Sequence, residues 1–192
     1  VDIAVVVMEI VNSQFSGTGF SIDQVTGQRD VYTIDISRGL GEMVVQGKIT
    51  PDAYRIIKNP EGKWVVLERN FGAKQEMMIF KEDIKKYPGA KIIKEGRYTY
   101  IIETPPQFKG KWAISEEQAI KIAQMFELVH KHYNQKYQRP ANKPLGMDME
   151  FAIDDSGELY LLQARPETRH SPHAKEKVVR RGYSVPEEVV AG

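Results

Sequence analysis

The sequence predicts an α+β fold, mainly antiparallel sheet with one long helix, and three observations carry that prediction. Short runs of β-branched and aromatic residues recur along the chain, punctuated by Gly, Pro, Asn and Asp. Asn59-Pro60-Glu61-Gly62 and Asp154-Asp155-Ser156-Gly157 each join two such runs at hairpin spacing, which makes neighbouring strands antiparallel. Helical periodicity is sustained over many turns in one stretch, which begins at Ser115. With 192 residues, 41% of them hydrophobic, the chain suffices for one domain with a filled core.

Ile3 to Met8 is apolar and β-branched and predicts a buried first strand. A chain that opens on Val1 inside such a run reads as cut from a longer polypeptide. A natural first strand that has lost its initiator Met is the alternative. Asn12 to Gly19 reads as a polar, glycine-bearing loop, Phe20 to Ile22 as a short strand and Thr26-Gly27-Gln28 as a turn. Val31 to Ile36 alternates polar and apolar residues as a half-buried strand does. Met43 to Gly47 fits a turn or two of helix closed by glycine. Asp52–Lys58 and Lys63–Arg69 form a hairpin, Gln75–Phe80 and Arg97–Glu103 add strands, and the segment between these last two is polar and unassigned.

The long helix opens on Ser115 and Gln118, the spacing of a capping box, in which each side chain satisfies an orphan N–H of the other residue. Ile122, Phe126, Val129, Tyr133 and Tyr137 then form one apolar stripe that Arg139-Pro140 ends. His130 and His132 on this helix are two residues apart and cannot share a face.

Composition excludes several function classes. There are no cysteines, hence no disulfide scaffold, thiolate-held metal or thiol nucleophile. With 27 Lys and Arg against 26 Asp and Glu there is no electrostatic case for a nucleic-acid partner. The longest apolar run falls far short of the ~20 residues a membrane helix needs, and no basic-then-apolar leader precedes it. The expectation is a soluble, cytoplasmic chain without a membrane partner.

Chemistry concentrates in the last hairpin, Gly146 to Arg165. If Ile153 faces Glu158, Asp148 lies opposite Gln163 and Glu150 opposite Leu161. Alternation then puts Asp148, Glu150, Gln163 and Arg165 on one face, and Met147, Met149, Phe151, Tyr160, Leu162 and Ala164 on a buried one. Two carboxylates and an amide oxygen are a hard ligand set suited to Mg²⁺ shared with substrate phosphates, and an arginine beside them can neutralise phosphate charge. The same alternation also marks the wet side of an ordinary sheet, and pattern alone does not choose between the two.

The residues themselves carry a resemblance. "MDMEFAIDDSGELYLLQARPET" resembles the end of the ATP-grasp domain in the phosphoenolpyruvate synthase and pyruvate phosphate dikinase family. "GLGEMVVQGKITPDAY" is similar to that family's Gly-Leu-Gly-Glu loop, and "AVVVMEIVNSQFSGTGFSID" to its hinge strand and Ser-Gly turn. The resemblance spans about Ala4 to Thr168. It implies that residues 1–170 are the C-terminal lobe of an ATP-grasp nucleotide-binding domain, with ATP and Mg²⁺ as cofactors. It implies Glu150 and Gln163 as metal and nucleotide ligands, Asp148 as a further metal ligand or its neighbour, and Arg165 as the catalytic arginine at the transferring phosphoryl group. Glu42 would lie close to the nucleotide, unless it is a plain surface acid of its loop. Met8 and Glu9 would fall where hinge backbone groups meet adenine.

The same resemblance implies two partners that this sequence does not contain, in the same polypeptide or in a partner subunit. One is the N-terminal ATP-grasp subdomain, with a lysine and an arginine on the phosphates. The other is a swivelling domain whose histidine takes the phosphoryl group and passes it to pyruvate. Residues 171–192 read as the linker toward that domain, with His170 and His173 as exposed linker histidines. Three alternatives remain: a relative that phosphorylates rifampin or a phenol, a non-catalytic nucleotide-binding module, and a self-standing subunit.

Overall fold

The computed structural model describes residues 5–170. In chain order the elements are β1 (Ser13–Ile22), β2 (Arg29–Arg38), α1 (Glu42–Val45), β3 (Asp52–Lys58), β4 (Trp64–Asn70) and β5 (Glu76–Phe80). A 3₁₀ segment (Lys81–Lys86), β6 (Ile92–Glu95), β7 (Thr99–Glu103) and a second 3₁₀ turn (Pro106–Phe108) follow. Last come α2 (Glu116–Lys136), β8 (Met147–Asp154) and β9 (Leu159–Pro166). Six strands form one antiparallel sheet in the order β4-β3-β2-β1-β8-β9, and β5-β7-β6 form a second. The mixed, mostly antiparallel architecture with one long helix is therefore as the sequence predicts.

The helix forms where its signals lie. Ser115 accepts from the Gln118 backbone N–H while the Gln118 side chain accepts from Ser115 N–H at 2.9 Å, the reciprocal cap. Ala119, Ile122, Ala123 and Phe126 are buried, and Val129 and Tyr133 pack at the edge of the same core. This stripe covers one face of the six-stranded sheet, where Ile34, Ile36, Tyr54, Ile56, Met149 and Phe151 complete the core. No helix among the described residues is long and apolar enough to cross a membrane.

Two expectations are corrected and one unassigned stretch is filled in. Ser13 to Gly19 is no loop but the first seven residues of β1, which is central to the sheet and paired on both sides. Its glycines are there for packing: a Cβ on Gly17 would stand 2.8 Å from the Phe151 ring, and one on Gly19 would overlap Phe126. Small residues in the middle of a strand thus mark close approach rather than a turn. Residues 5–8, the described part of the run expected as a buried strand, have no regular structure, nor do residues 9–12, and Val7 is 92% and Ile10 72% exposed. No described strand lies beside them, and an apolar run buries nothing unless another element covers it. The polar stretch after β5 holds the 3₁₀ segment and β6, an exposed edge strand.

The second sheet is inserted between β4 and α2 around its own small core of Met77, Ile79 and Ile102. It is pinned to the large sheet through Asp52 at the start of β3. Both oxygens of that buried carboxylate are engaged, by the amides of Gly72 (2.9 Å) and Ala113 (2.7 Å) and by the Lys74 ammonium. The β8–β9 hairpin forms, but its register differs from the expected one by two positions over Met147–Glu150 and, beyond a bulge, by one over Phe151–Ile153. Asp148 pairs with Arg165 and Glu150 with Gln163, then the ladder shifts so that Phe151 pairs with Leu161. A shift of two preserves the faces, so Asp148, Glu150, Gln163 and Arg165 still share one side. The bulge turns Tyr160 out instead of in: it is 38% exposed and donates to Asp154 at 3.1 Å. The stretch 171–192, with His173, lies outside the described residues.

Candidate functional site

Whatever one face of the large sheet gives to the core, the other withholds. Alternation along β1, β2 and β8 sends Ser16, Thr18 and Phe20, Thr33, Asp35 and Ser37, and Asp148 and Glu150 to the side opposite α2. Register lines them into two cross-strand rows. The first runs Gln163, Glu150, Thr18, Asp35, and the second Arg165, Asp148, Phe20, Thr33, Arg55.

In the second row Arg165 donates from Nε to Asp148 Oδ2 at 2.7 Å, and its Nη2 approaches the same oxygen at 2.6 Å. The guanidinium is largely exposed while the Asp148 carboxylate beneath it is mostly covered. Asp148 is thereby occupied in aiming Arg165. At the far end Arg55 bridges Asp23 and Glu68. Burial acts to raise the Asp23 carboxyl, but the amides of Thr26 and Val25 and the charge of Arg55 outweigh it, so the group titrates below the ordinary aspartate range.

The first row is different. Glu150 and Gln163 stand side by side and partly exposed, and Asp35 lies two strands away across Thr18. Burial alone lifts the Asp35 carboxyl above the ordinary aspartate range. The sequence reading missed Asp35. Its place in an alternating strand was visible, but its alignment with Glu150 depends on the order β2-β1-β8, which the chain does not announce.

The remaining predicted residues are not brought into these rows. Glu42 opens α1 with its side chain half-exposed, accepting from Gln46 at 3.2 Å and 3.9 Å from Lys48. Its loop is fastened near the start of β1: Gly39 N–H donates to Gln14 O at 2.9 Å, the Ser16 hydroxyl to Gly39 O at 2.6 Å and Leu40 N–H to Met78 O at 2.9 Å. Gly39, with φ of 84°, needs its missing side chain there, since a Cβ would run into the Met78 carbonyl. Met8 and Glu9 lie exposed beyond the start of β1, and the Glu9 charge reaches Tyr160. His170 is no exposed linker residue: its ring sits on Gly27 and its Nε2 is 2.7 Å from Gln24 O. His130 faces the sheet with its Nδ1 at hydrogen-bond distance, 2.8 Å, from the Ser21 hydroxyl, while His132 points outward.

Among the described residues no three Asp, Glu or His side chains gather into a metal cage of their own. Glu150 and Gln163 nevertheless offer adjacent hard oxygens with room above them. Such a set fits Mg²⁺, which takes one or two protein oxygens and fills its octahedron with water and phosphate. A cavity of about 520 Å³ lies elsewhere, on the inserted sheet between Gln75, Glu76, Ile93, Glu103 and Lys109. It contributes nothing to the rows.

Comparison with known proteins gives a consistent picture. The family model "Pyruvate phosphate dikinase, AMP/ATP-binding domain" matches residues 1–184. The phosphoenolpyruvate synthase of Aquifex aeolicus is 34% identical over 185 residues, covering 94% of this chain and 20% of that protein. A probable phosphoenolpyruvate synthase of Pyrococcus abyssi is 33% identical over 177 residues, 92% of this chain and 19% of the relative. The Pseudomonas aeruginosa phosphoenolpyruvate synthase is 34% identical over 156 residues, 80% and 17% respectively. The chain thus spans about a fifth of the length of the curated relatives it matches.

Proposed function

Since the chain belongs to the pyruvate phosphate dikinase AMP/ATP-binding domain family, we propose that it is the C-terminal lobe of an ATP-grasp site in a phosphoenolpyruvate synthase. The polar face of the large sheet is the floor of the nucleotide cleft. Glu150 and Gln163 hold Mg²⁺ on the nucleotide phosphates, Arg165 stands at the transferring phosphoryl group, and Asp148 orients Arg165. When bound, the ion neutralises phosphate charge. Glu42, Met8 and Glu9 lie toward the start of β1, the end at which the nucleoside sits. The phosphoryl group leaves ATP for a histidine on another domain and passes from there to pyruvate.

The observation that carries this reading is the pair of adjacent cross-strand couples, Asp148 with Arg165 and Glu150 with Gln163, on the side of the sheet opposite α2. Two contacts to a covered carboxylate aim the Arg165 guanidinium and leave its outer side exposed. The fixed fork holds Arg165 where charge develops during transfer, which is where such a group acts most strongly. Family membership adds weight independently, because the matched domain is described as binding AMP or ATP.

Glu150→Gln tests the proposal through binding. Removing a charged oxygen from a hard cation's shell should weaken Mg·ATP binding by about tenfold or more, with folded stability unchanged within about 0.5 kcal/mol. Calorimetric titration of both proteins with Mg·ATP reads the difference. Indistinguishable curves would remove Glu150 from the site.

A further inference from the structure

Asp35 occupies the middle of the polar face and has no counter-charge. Across its strand it meets Thr18 on one side and Ala53 on the other, and along its own face Thr33 and Ser37. These neighbours bring hydroxyls and a methyl, and no cation. Among the described residues no hydrogen bond or ion pair engages the Asp35 carboxylate. Other partly or wholly buried aspartates among the described residues are treated differently. Asp23 has two amides and Arg55, Asp52 has two amides and Lys74, and Asp83 has Asn12 and Lys86. Beside Asp35, the Ser37 hydroxyl is buried at 1% exposure and also lacks a partner.

A half-buried carboxylate with nothing to offset its lost hydration destabilises the fold, and burial accordingly resists its ionisation. What relieves it must arrive on the open face as a positive or hydrogen-donating group. The register restricts where that group sits. Adjacent strands are ~4.8 Å apart, so Asp35 and Glu150, two strands apart, are separated by about 10 Å at the backbone. Standing upright on the sheet, the two carboxylates are too far apart to share one small ion, whose ligands lie at ~2.1 Å, but a water on the ion's shell, donating over ~2.7 Å, spans the remaining gap above Thr18.

We propose that Asp35 is the outer acceptor of the Mg²⁺ shell, taking a hydrogen bond from a water on the ion that Glu150 and Gln163 hold. The assignment rests on the reading of those two residues given above and adds to it a group from a third strand. Asp35 steers the ion's hydrated side toward the middle of the sheet and leaves the opposite side to the phosphates. A charged acceptor behind a bound water is a usual means of tuning a metal site, and its loss costs about 10- to 100-fold in metal affinity.

The test pairs Asp35→Asn with Glu150→Gln in the chain as it stands. Mn²⁺ replaces Mg²⁺, a non-hydrolysable ATP analogue is present, and free Mn²⁺ is counted by electron paramagnetic resonance. Asp35→Asn keeps the shape but gives up the charge. It should raise the Mn²⁺ dissociation constant about tenfold or more, while the metal-free protein melts at the same temperature or higher. That combination is the signature, because a structural acid would lose stability on neutralisation. A lower melting temperature, or Mn²⁺ binding like wild type while Glu150→Gln is impaired, overturns the role of Asp35 alone. If both variants bind like wild type, or if wild type shows no nucleotide-dependent Mn²⁺ binding, the reading of Glu150 falls and this one with it. Should Asp35→Asn fail to fold, the acid is structural and the proposal is wrong.

Discussion

Asp52 and Asp35 lie on neighbouring strands of one sheet, and their treatment could hardly differ more. Asp52 faces the core side, is wholly buried, and meets two amides and an ammonium. Asp35 faces the open side, is half-buried, and is engaged by nothing among the described residues. One face spends its charge inside the fold; the other keeps its charge available. A charge that the fold satisfies is part of the scaffold, and one left unsatisfied at a partly sheltered position is a candidate for a ligand.

The comparison breaks most visibly at Asp52. Asp52→Ala would leave the Lys74 ammonium buried at 5% exposure without its carboxylate, and two amides without an acceptor. Removing one partner of a buried pair costs about 3–5 kcal/mol, mainly through the charge stranded by the change. Burial already pulls the Lys74 ammonium below its ordinary range, partly offset by Asp52, so without Asp52 the lysine would hold its proton still less tightly. Urea unfolding measures the loss. A cost below about 1 kcal/mol would mean that solvent reaches the joint between the sheets.

On the open face the largest expected effect is on rate. In a protein competent for transfer, Arg165→Ala should slow the phosphoryl step about 10²-fold, roughly 2.7 kcal/mol of barrier, with nucleotide affinity much less changed. Lysine should restore little, since it lacks the planar fork that grips Asp148 and a phosphate at once. Single-turnover kinetics separate the two quantities. If the alanine variant instead loses stability and keeps its rate per folded molecule, the Arg165–Asp148 couple belongs with Asp52 as scaffold.

How much of this was legible in the sequence varies by element. The capping box at Ser115, the apolar stripe through Phe126 and the β3–β4 hairpin were all written locally, and each forms as read. The common face of Asp148, Glu150, Gln163 and Arg165 was also legible, because a two-residue error in register leaves the faces alone. The register itself was not, since a bulge is chosen by packing on both sides of a strand and not by the turn. β1 was misread because glycine weakens a strand locally, and its reason for being there, Phe126 and Phe151, lies more than a hundred residues away. Asp35 was invisible for a related reason: two strands that meet the same neighbour are brought together by topology, which no local pattern encodes.

The finest test of the division between the faces concerns a proton. His130 lies on α2, against the core side, with its Nδ1 hydrogen-bonded to the Ser21 hydroxyl. Burial lowers its pKa, and the nearby charges of Asp30 and Glu127, which favour protonation, are opposed by Arg29 and Lys131. The folded protein therefore resists a proton that the unfolded chain accepts below ~6.5. In that range the unfolded state binds more protons, so stability rises with pH; in reverse, it is lost as pH falls below ~6.5 toward the lowered folded value. The loss is at most ~1.4 kcal/mol per pH unit for one group. His130→Gln removes this titration. Urea unfolding at pH 7 and pH 5 should show the wild type losing more stability than the variant over that interval. Equal losses would mean that His130 is as free to take a proton folded as unfolded, and that the core side tolerates an unpaired charge after all.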